Sequence, residues 1–302
     1  MTATEEAPAS SLLFSGFGSG AASGVGSGVS TGISTGENPR LARVRARAAA
    51  RERTSEARRV ARTTRRRRTP EELRAVVERG QAQLHASAGN PEADAEAVIA
   101  WAVREFGPWV AVASSMQDSV LSHLVAQQLP FVDVLFGDTG YHFAETIGTR
   151  GAVEIELDVN VVDVRPTLTV AEQDAKYGPK LHDRDPEACC AMRKVAPMKK
   201  ALEGYEAWAT GVRRGETAAR ANAPLVTWDE RNGVVKINPI AAWTDDQVSE
   251  YANRHGLIVN PLLTDGYPSV GCEPCTARPL PGEDARSGRW AGRDKDECGL
   301  HV

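Results

Sequence analysis

From about Thr69 onward, apolar and polar positions follow the periods that helices and strands require. Thr69, followed by Pro70 and then Glu71 and Glu72, predicts the N-cap and the acidic first turn of a helix. Short apolar runs that end in polar loops predict buried strands between further helices. The predicted helices are 92–106, 120–128, 143–150 and 186–202, and the predicted strands are 109–113, 131–136, 153–164 and 207–212.

This alternation of strand and helix predicts an α/β fold with a Rossmann-like parallel sheet covered on both faces. In such sheets the ligand site lies at the carboxyl ends of the strands. Nearer the C-terminus, Asn232-Gly233 predicts a hairpin turn. Thr244 and Gln247 form a capping box that predicts a last amphipathic helix, which ends at about His255.

The first 68 residues differ in composition from the rest. Residues 10–36 are mainly Gly, Ser, Thr and Ala, which bury too little apolar surface to offset the entropy lost on ordering. Residues 40–68 hold roughly a third of all Lys and Arg. We expect a disordered extension over 1–68 whose basic run stays solvated, with contact to nucleic acid or a membrane surface as the alternative. The net charge of −4 leaves an acidic remainder, which argues against a nucleic-acid-binding body.

With 302 residues and 41% hydrophobic composition, the chain is able to bury a full core. We expect the extension to be followed by an α/β nucleotide-binding domain over 69–270 and a C-terminal segment over 271–302 with a mobile tail. No apolar signal peptide is evident, so we expect a cytoplasmic location without membrane association. The sequence does not fix the oligomeric state and is compatible with a homo-oligomer.

Four of the five cysteines form two pairs, the adjacent Cys189 and Cys190, and Cys272 with Cys275 in a Cys-x-x-Cys motif. A disulfide framework is disfavoured, because the chain can build its own core and the number of cysteines is odd. A structural zinc site and an iron–sulfur cluster both use four thiolates, and both stay open. The adjacent pair favours the cluster, because neighbouring thiolates chelate one small ion poorly, whereas a cubane offers each its own iron.

The fifth cysteine, Cys298, lies in a polar, Gly-containing segment close to the C-terminus. A free cysteine is often a small buried hydrophobic residue, but burial is not expected in such a segment. Exposed thiols are normally selected against unless they are used. We therefore predict a reactive role for Cys298, with His301 supporting it or a bound anion.

Other candidate binding residues follow predicted strands or the first cysteine pair. The loop that carries Ser114, Ser115 and Asp118 follows one strand and suits a nucleotide, with an ordinary capped loop as the alternative. Arg213 and Arg214 follow another strand, where they can bind phosphate or sulfate, with a solvated surface pair as the alternative. Two further cations, Arg193 and Lys194, lie three and four residues after Cys190 on the predicted helix, on the turn that carries the thiolates.

The loop 114–119 resembles the Ser-Gly-Gly-x-Asp-Ser pyrophosphate loop of the adenine nucleotide alpha-hydrolase-like superfamily. Ser114, Asp118 and Ser119 are kept, and Ser115 and Met116 replace both glycines. Without these glycines the backbone cannot approach a polyphosphate as closely. The departure therefore favours a ligand with less phosphate charge over the ATP of an ATP pyrophosphatase or a tRNA-thiolating enzyme.

Together, several motifs in colinear order over about 75–302 resemble the assimilatory sulfonucleotide reductases, and are most similar to the bacterial thioredoxin-dependent adenylyl-sulfate (APS) reductases. These motifs are the two cysteine pairs, the loop 114–119, Asp138-Thr139-Gly140-Tyr141-His142-Phe143, Gly211-Val212-Arg213-Arg214 and Glu297-Cys298-Gly299-Leu300-His301. Members that use the 3'-phosphorylated nucleotide (PAPS) usually lack both cysteine pairs, so their presence here points to APS.

The resemblance implies an adenine nucleotide alpha-hydrolase-like fold with a 4Fe-4S cluster on Cys189, Cys190, Cys272 and Cys275. It implies Cys298 as the nucleophile, on a mobile tail that forms an S-sulfocysteine (thiosulfonate). The implied reaction reduces adenosine 5'-phosphosulfate to sulfite and AMP with thioredoxin or a glutaredoxin-like reductant, in sulfate assimilation and cysteine biosynthesis. Lys194 would then link the cluster to the sulfate, beside Ser114, Ser115, Asp118, Arg213 and Arg214 around the nucleotide.

Other functions stay open: a PAPS reductase, a tRNA-thiolating or ATP-pyrophosphatase enzyme of the same superfamily, and a non-enzymatic redox or nucleic-acid module that uses the arginine-rich arm. The last function requires residues 1–68. For the enzyme functions we expect deletion of these residues to change little.

Overall fold

Strands and helices alternate along the chain, in a computed structural model that describes residues 38–85, 90–293, 295 and 297–300. The strands are β1 (Val110–Ser114), β2 (Val132–Gly137), β3 (Val159–Val164), β4 (Ala207–Ala209), β5 (Val226–Asp229) and β6 (Val234–Ile237). The helices are α1 (Pro39–Thr64), α2 (Pro70–Gln83), α3 (Pro91–Phe106), α4 (Val120–Gln128), α5 (Ala144–Glu156), α6 (Val170–Tyr177), α7 (Leu181–Arg184), α8 (Pro186–Cys190), α9 (Ala196–Leu202) and α10 (Asp245–Arg254).

The strands form one sheet in the order β3-β2-β1-β4-β6-β5, parallel except for β5, which runs antiparallel to β6. Neighbouring residues of β1 face opposite sides of this sheet. Ala111 belongs to the apolar cluster of Met198 and Leu202 from α9, whereas Val112 belongs to that of Leu124 from α4. Both are fully buried, as expected for a parallel strand covered on both faces. The predicted α/β fold with a largely parallel sheet is confirmed.

Two of the predicted helix starts are confirmed in detail. Thr69 and Thr244 each accept a hydrogen bond from the backbone three residues on, and the third residue returns one, which is the capping box. The predicted strand over 153–164 is wrong in its first part, because α5 continues to Glu156. Gly148 and Gly151 lie inside α5, and neither has the positive φ with which glycine commonly ends a helix. No helix in the described ranges is long and apolar enough to cross a membrane.

The expectation of disorder over 1–68 is wrong for residues 39–68, whereas residues 1–37 lie outside the described ones. Most of this basic run is α1, whose arginines bind the chain where strands begin. Arg58 donates hydrogen bonds to the carbonyl oxygens of Pro130 and Phe131, just before β2. Arg47 pairs with Asp158, just before β3, at 2.8 Å. Helix α1 therefore lies along the amino-terminal edge of the sheet, opposite the predicted ligand edge.

The last arginines of the basic run bind a buried carboxylate, that of Glu206, which lies directly before β4. Its side chain has no exposed surface, and it accepts hydrogen bonds from Arg65 (2.8 Å) and from the backbone and guanidinium of Arg68 (2.7 and 3.0 Å). A buried carboxylate that loses its cations is strongly destabilising. In contrast to the expectation from sequence, we therefore expect deletion of residues 1–68 to destabilise the fold.

The double variant Arg65→Ala/Arg68→Ala should lower the free energy of unfolding by about 3 kcal/mol, because it leaves the Glu206 carboxylate buried without these cations. Chemical denaturation followed by circular dichroism measures the change. Arg66→Ala is the matched control, since Arg66 pairs with Glu72 at the surface (2.7 Å) and its loss should change little. An equal effect of the double variant and the control would contradict the role assigned to Glu206.

Candidate active site

The four paired cysteines line one pocket beside the loop that follows the carboxyl end of β2. Cys189, Cys190 and Cys272 are buried, and Cys275 is partly exposed. The space inside the pocket is about 330 Å³, including space open to solvent. Its other lining residues are Thr139, Tyr141, His182, Pro186, Arg193, Lys194, Pro274 and Trp290.

The helical segment predicted over 186–202 brings the adjacent pair to this pocket. Asp185 caps its start by accepting the backbone N–H of Ala188 (2.9 Å), and α8 ends at Cys190. The chain then continues through a π-helical turn, Ala191–Val195, into α9. Turns of this kind are rare and occur frequently at functional sites. Arg193 and Lys194 both lie on this turn.

These two cations have different surroundings. Arg193 binds the loop after β2, donating to the carbonyl oxygen of Thr139 (2.5 Å), and its guanidinium stacks over the ring of Tyr141. Burial lowers the pKa of Lys194, but its interactions with Cys272, Cys298 and Cys190 together raise it by more, so the net shift is upward. Arg193 thus positions the loop and also interacts electrostatically with Cys189, while Lys194 interacts with Cys190, Cys272 and Cys298.

The Cys-x-x-Cys motif is attached to the same loop after β2. The backbone N–H of Glu273 donates to the carbonyl oxygen of Tyr141 (2.7 Å), and Cys272 Sγ lies 3.2 Å from Thr139 Oγ1. A 3₁₀ turn over Glu273–Cys275 then brings Cys275 back to the pocket. These contacts explain how two motifs more than eighty residues apart in the sequence reach one pocket.

The thiols of the adjacent cysteine pair have raised pKa values. Burial, with repulsion from Cys190, raises the pKa of Cys189 to about 12, and burial raises the pKa of Cys190 to about 11. A metal must therefore displace their protons as it binds. No three described His, Cys, Asp or Glu side chains converge on a point that would hold a single metal ion. Four thiols around a shared pocket are the number of ligands that an iron–sulfur cluster uses, and the cluster stays a prediction.

The loop after β1 carries the next predicted residues. Ser115 is exposed, and Ser114 Oγ accepts the backbone N–H of Met116 (3.1 Å). Asp118 accepts the N–H of Val120 (2.9 Å) at the start of α4, and burial raises its pKa. Met116, where the superfamily motif has glycine, adopts a left-handed backbone with φ +58° and a fully buried side chain. The loop thus has a residue in the conformation that glycine favours, although the residue is methionine.

Arg213 and Arg214 lie beyond the carboxyl end of β4, as predicted, but each guanidinium already has a protein acceptor. Arg213 pairs with Asp245 at 2.6 Å and with Glu216 at 3.5 Å. Arg214 donates to the carbonyl oxygen of Ala223 (2.9 Å). An anion at this place would share or replace these acceptors, so anion binding by the two arginines stays a prediction.

Arg289 is a candidate anion-binding residue that the sequence analysis did not identify. It stacks on Trp290 and donates to the carbonyl oxygen of Val270 (3.1 Å), and its buried Nε has no hydrogen-bond partner. A side chain on Gly271 would collide with this guanidinium and force it to shift, so the observed position of Arg289 depends on the glycine next to Cys272. Burial lowers the pKa of Arg289, while the nearby Cys298 acts in the opposite direction. A buried guanidinium that has a hydrogen-bond donor without a partner suits an anion. In the sequence, nothing in the polar segment 276–296 distinguishes Arg289 from its charged neighbours.

The tail brings Cys298 to this group of residues. Cys298 is partly exposed and interacts electrostatically with Cys190, Lys194 and Arg289. Glu297 before it is buried and bound by Arg220, and the carbonyl oxygen of Gly299 after it accepts a hydrogen bond from Arg231. His301 lies outside the described residues, so its predicted support of Cys298 stays a prediction.

Comparisons with known proteins bear on the family of this chain. The family described as phosphoadenosine phosphosulfate reductase domain matches residues 107–278. Adenosine 5'-phosphosulfate reductase from Streptomyces coelicolor is 59% identical over 234 residues, which cover 78% of this chain and 97% of the relative. The enzyme of that name from Mycolicibacterium smegmatis is 57% identical with the same coverage. A phosphoadenylyl-sulfate reductase structure from Candida auris, 24% identical, superimposes with a TM-score of 0.56 over 67% of this chain and 96% of its own. The chain therefore belongs to the phosphoadenosine phosphosulfate reductase family.

Proposed function

We propose that this protein reduces adenosine 5'-phosphosulfate to sulfite and AMP, with thioredoxin as the electron donor, in sulfate assimilation and cysteine biosynthesis. The observation that carries the proposal is that Cys298 interacts electrostatically with Cys190 and Lys194, which line the pocket of four cysteines, and with Arg289. In a chain of this family, that arrangement combines a free thiol with cations suited to a phosphosulfate. The name shared by its bacterial relatives supports APS as the substrate.

In the first step, the thiolate of Cys298 attacks the sulfuryl sulfur of APS. The bond between this sulfur and the bridging oxygen breaks, AMP leaves with the bonding electrons, and Cys298 becomes an S-sulfocysteine. Lys194 and Arg289, with Arg213 and Arg214, hold the phosphosulfate and stabilise the charge that passes to AMP. Ser114, Ser115 and Asp118 form the loop that receives the rest of the nucleotide.

In the second step, a thioredoxin thiolate attacks Cys298 Sγ and displaces sulfite, which leaves a mixed disulfide between the two proteins. The second thioredoxin thiol resolves this disulfide and restores the Cys298 thiol. The dithiol supplies both electrons, and it ends as a disulfide. A glutaredoxin-like dithiol is able to perform the same exchange.

We also propose that Cys189, Cys190, Cys272 and Cys275 hold a 4Fe-4S cluster. The support is their shared pocket, the number of thiols and the cation Lys194 beside them. When bound, the cluster supplies electrostatic and structural support to the neighbouring anion site, while the electrons come from the dithiol. The cytoplasmic location stays a prediction, and so does the oligomeric state.

An anaerobic assay of the purified, iron-quantified protein with reduced thioredoxin tests this function. APS and PAPS are offered separately, and sulfite is followed. We expect sulfite from APS. Preference for PAPS would overturn the substrate assignment, and AMP released from ATP without any sulfonucleotide would favour an ATP pyrophosphatase or a tRNA-thiolating enzyme.

A further inference from the structure

The residue before Cys298 makes an ion pair that the reaction scheme does not use. The Glu297 carboxylate is 7% exposed, and it accepts two hydrogen bonds from one guanidinium, from Nε (2.6 Å) and Nη2 (2.7 Å) of Arg220. The hydroxyl of Thr217 donates to it at 3.3 Å, and Arg286 lies 3.6 Å away. Two-bond arginine–carboxylate pairs are geometrically specific. The pair therefore fixes the orientation of this part of the tail.

The partner of Glu297 is itself held on the loop that follows β4. Arg220 donates to the carboxylate of Glu216 (2.5 Å), which also accepts the backbone N–H of Arg213 (3.0 Å). Glu216 thus joins the tail's anchor to the residue proposed to bind the anion. The tail and the anion site share one continuous network of charges, Arg213–Glu216–Arg220–Glu297.

A second contact holds the tail on the other side of Cys298. The carbonyl oxygen of Gly299 accepts a hydrogen bond from Arg231, and Leu300 packs against the apolar cluster that contains Leu202 and Trp208. Gly299 has φ +77°, a backbone conformation that glycine adopts without strain. Both neighbours of Cys298 in the sequence, Glu297 and Gly299, are therefore held by contacts with the rest of the protein.

We propose that Glu297 is a positioning residue, an ionic latch that docks the tail on Arg220 and thereby places Cys298 over the anion site. The role given to Cys298 rests on the proposed function, whereas the docking does not. A buried ion pair suits a segment that has to leave again, because desolvation cancels much of its attraction while its geometry stays specific. Opening of the latch presents Cys298 to the protein reductant.

Docking of the tail is measured first by the chemical accessibility of Cys298, a quantity that does not depend on turnover. The reaction of Cys298 with iodoacetamide is followed in the full-length protein by mass spectrometry of the peptide that contains Cys298. Glu297→Gln should raise the alkylation rate roughly tenfold or more, because it removes hydrogen bonds that involve a charge. It should lower kcat with APS by a similar factor while KM changes little. Glu250→Gln, the same change on the exposed face of α10, is the matched control and should alter neither quantity.

Two further variants keep the test decisive if Glu297→Gln folds poorly. Thr217→Val removes one hydrogen bond to the carboxylate and should raise the alkylation rate a few-fold. Arg220→Met should raise it as much as Glu297→Gln, and the double variant should add little, because both remove the same pair.

An unchanged alkylation rate in Glu297→Gln would overturn the latch, even if the variant lost activity. Additive effects of Arg220→Met and Glu297→Gln would overturn it as well. Faster alkylation in Glu297→Gln, together with an unaltered protein that releases no sulfite from APS, would support the latch and overturn the proposed function instead.

Discussion

Replacing Cys298 with serine should abolish sulfite release from APS. Serine has nearly the same shape, but its hydroxyl is a far weaker nucleophile at neutral pH, and a serine ester could not be released by thiol–disulfide exchange. Loss of a catalytic nucleophile typically lowers kcat by roughly four orders of magnitude or more. The anaerobic sulfite assay with reduced thioredoxin measures this loss.

Cys298→Ser should keep its iron and its affinity for APS, because Cys298 is the cysteine that does not line the pocket of the two pairs. Iron analysis and calorimetric titration check both quantities in the same preparation. In the absence of reductant, the unaltered protein should release one equivalent of AMP and carry a sulfonate on the peptide that contains Cys298. A serine variant that still turned over would rule out the S-sulfocysteine mechanism.

The elements around the site were predictable wherever local chemistry decides them. Thr69 and Thr244 satisfy the first backbone donors of their helices, and such caps are readable over four residues of sequence. The role of α1 was not predictable from local sequence, because the acceptors of its arginines lie far away in the chain. Arg62, for example, pairs with Asp133 at 3.0 Å, seventy-one residues on. Composition alone then suggested a solvated arm.

The same distinction holds at the site. The meeting of the cysteine pairs and Cys298 was anticipated from a family resemblance, and the strand-end position of Arg213 followed from the sheet. The π-helical turn that directs Arg193 to the loop after β2 had no local signal. Arg289 was missed because its environment depends on the close approach of Gly271, eighteen residues earlier. Contacts between segments, rather than propensities within them, decide these positions.

Replacing Cys272 with serine should remove both the iron and the activity. Cys272 is buried beside Thr139 at the centre of the proposed ligand set, and a neutral hydroxyl is a poor replacement for a thiolate on iron. Anaerobically purified protein should hold about four irons per chain, and the variant close to none. Iron and sulfide analysis, visible absorption and the sulfite assay measure the change.

Comparison of the two serine variants separates the cluster from the nucleophile. Cys298→Ser should lose turnover with its iron intact, whereas Cys272→Ser should lose both, along with the charge that the bound cluster would place next to Lys194. If Cys272→Ser kept its iron, Cys272 would not be a ligand. If it lost iron but still released sulfite at the normal rate, the cluster would have no part in positioning the substrate, and Lys194, Arg289, Arg213 and Arg214 would have to hold the phosphosulfate without it.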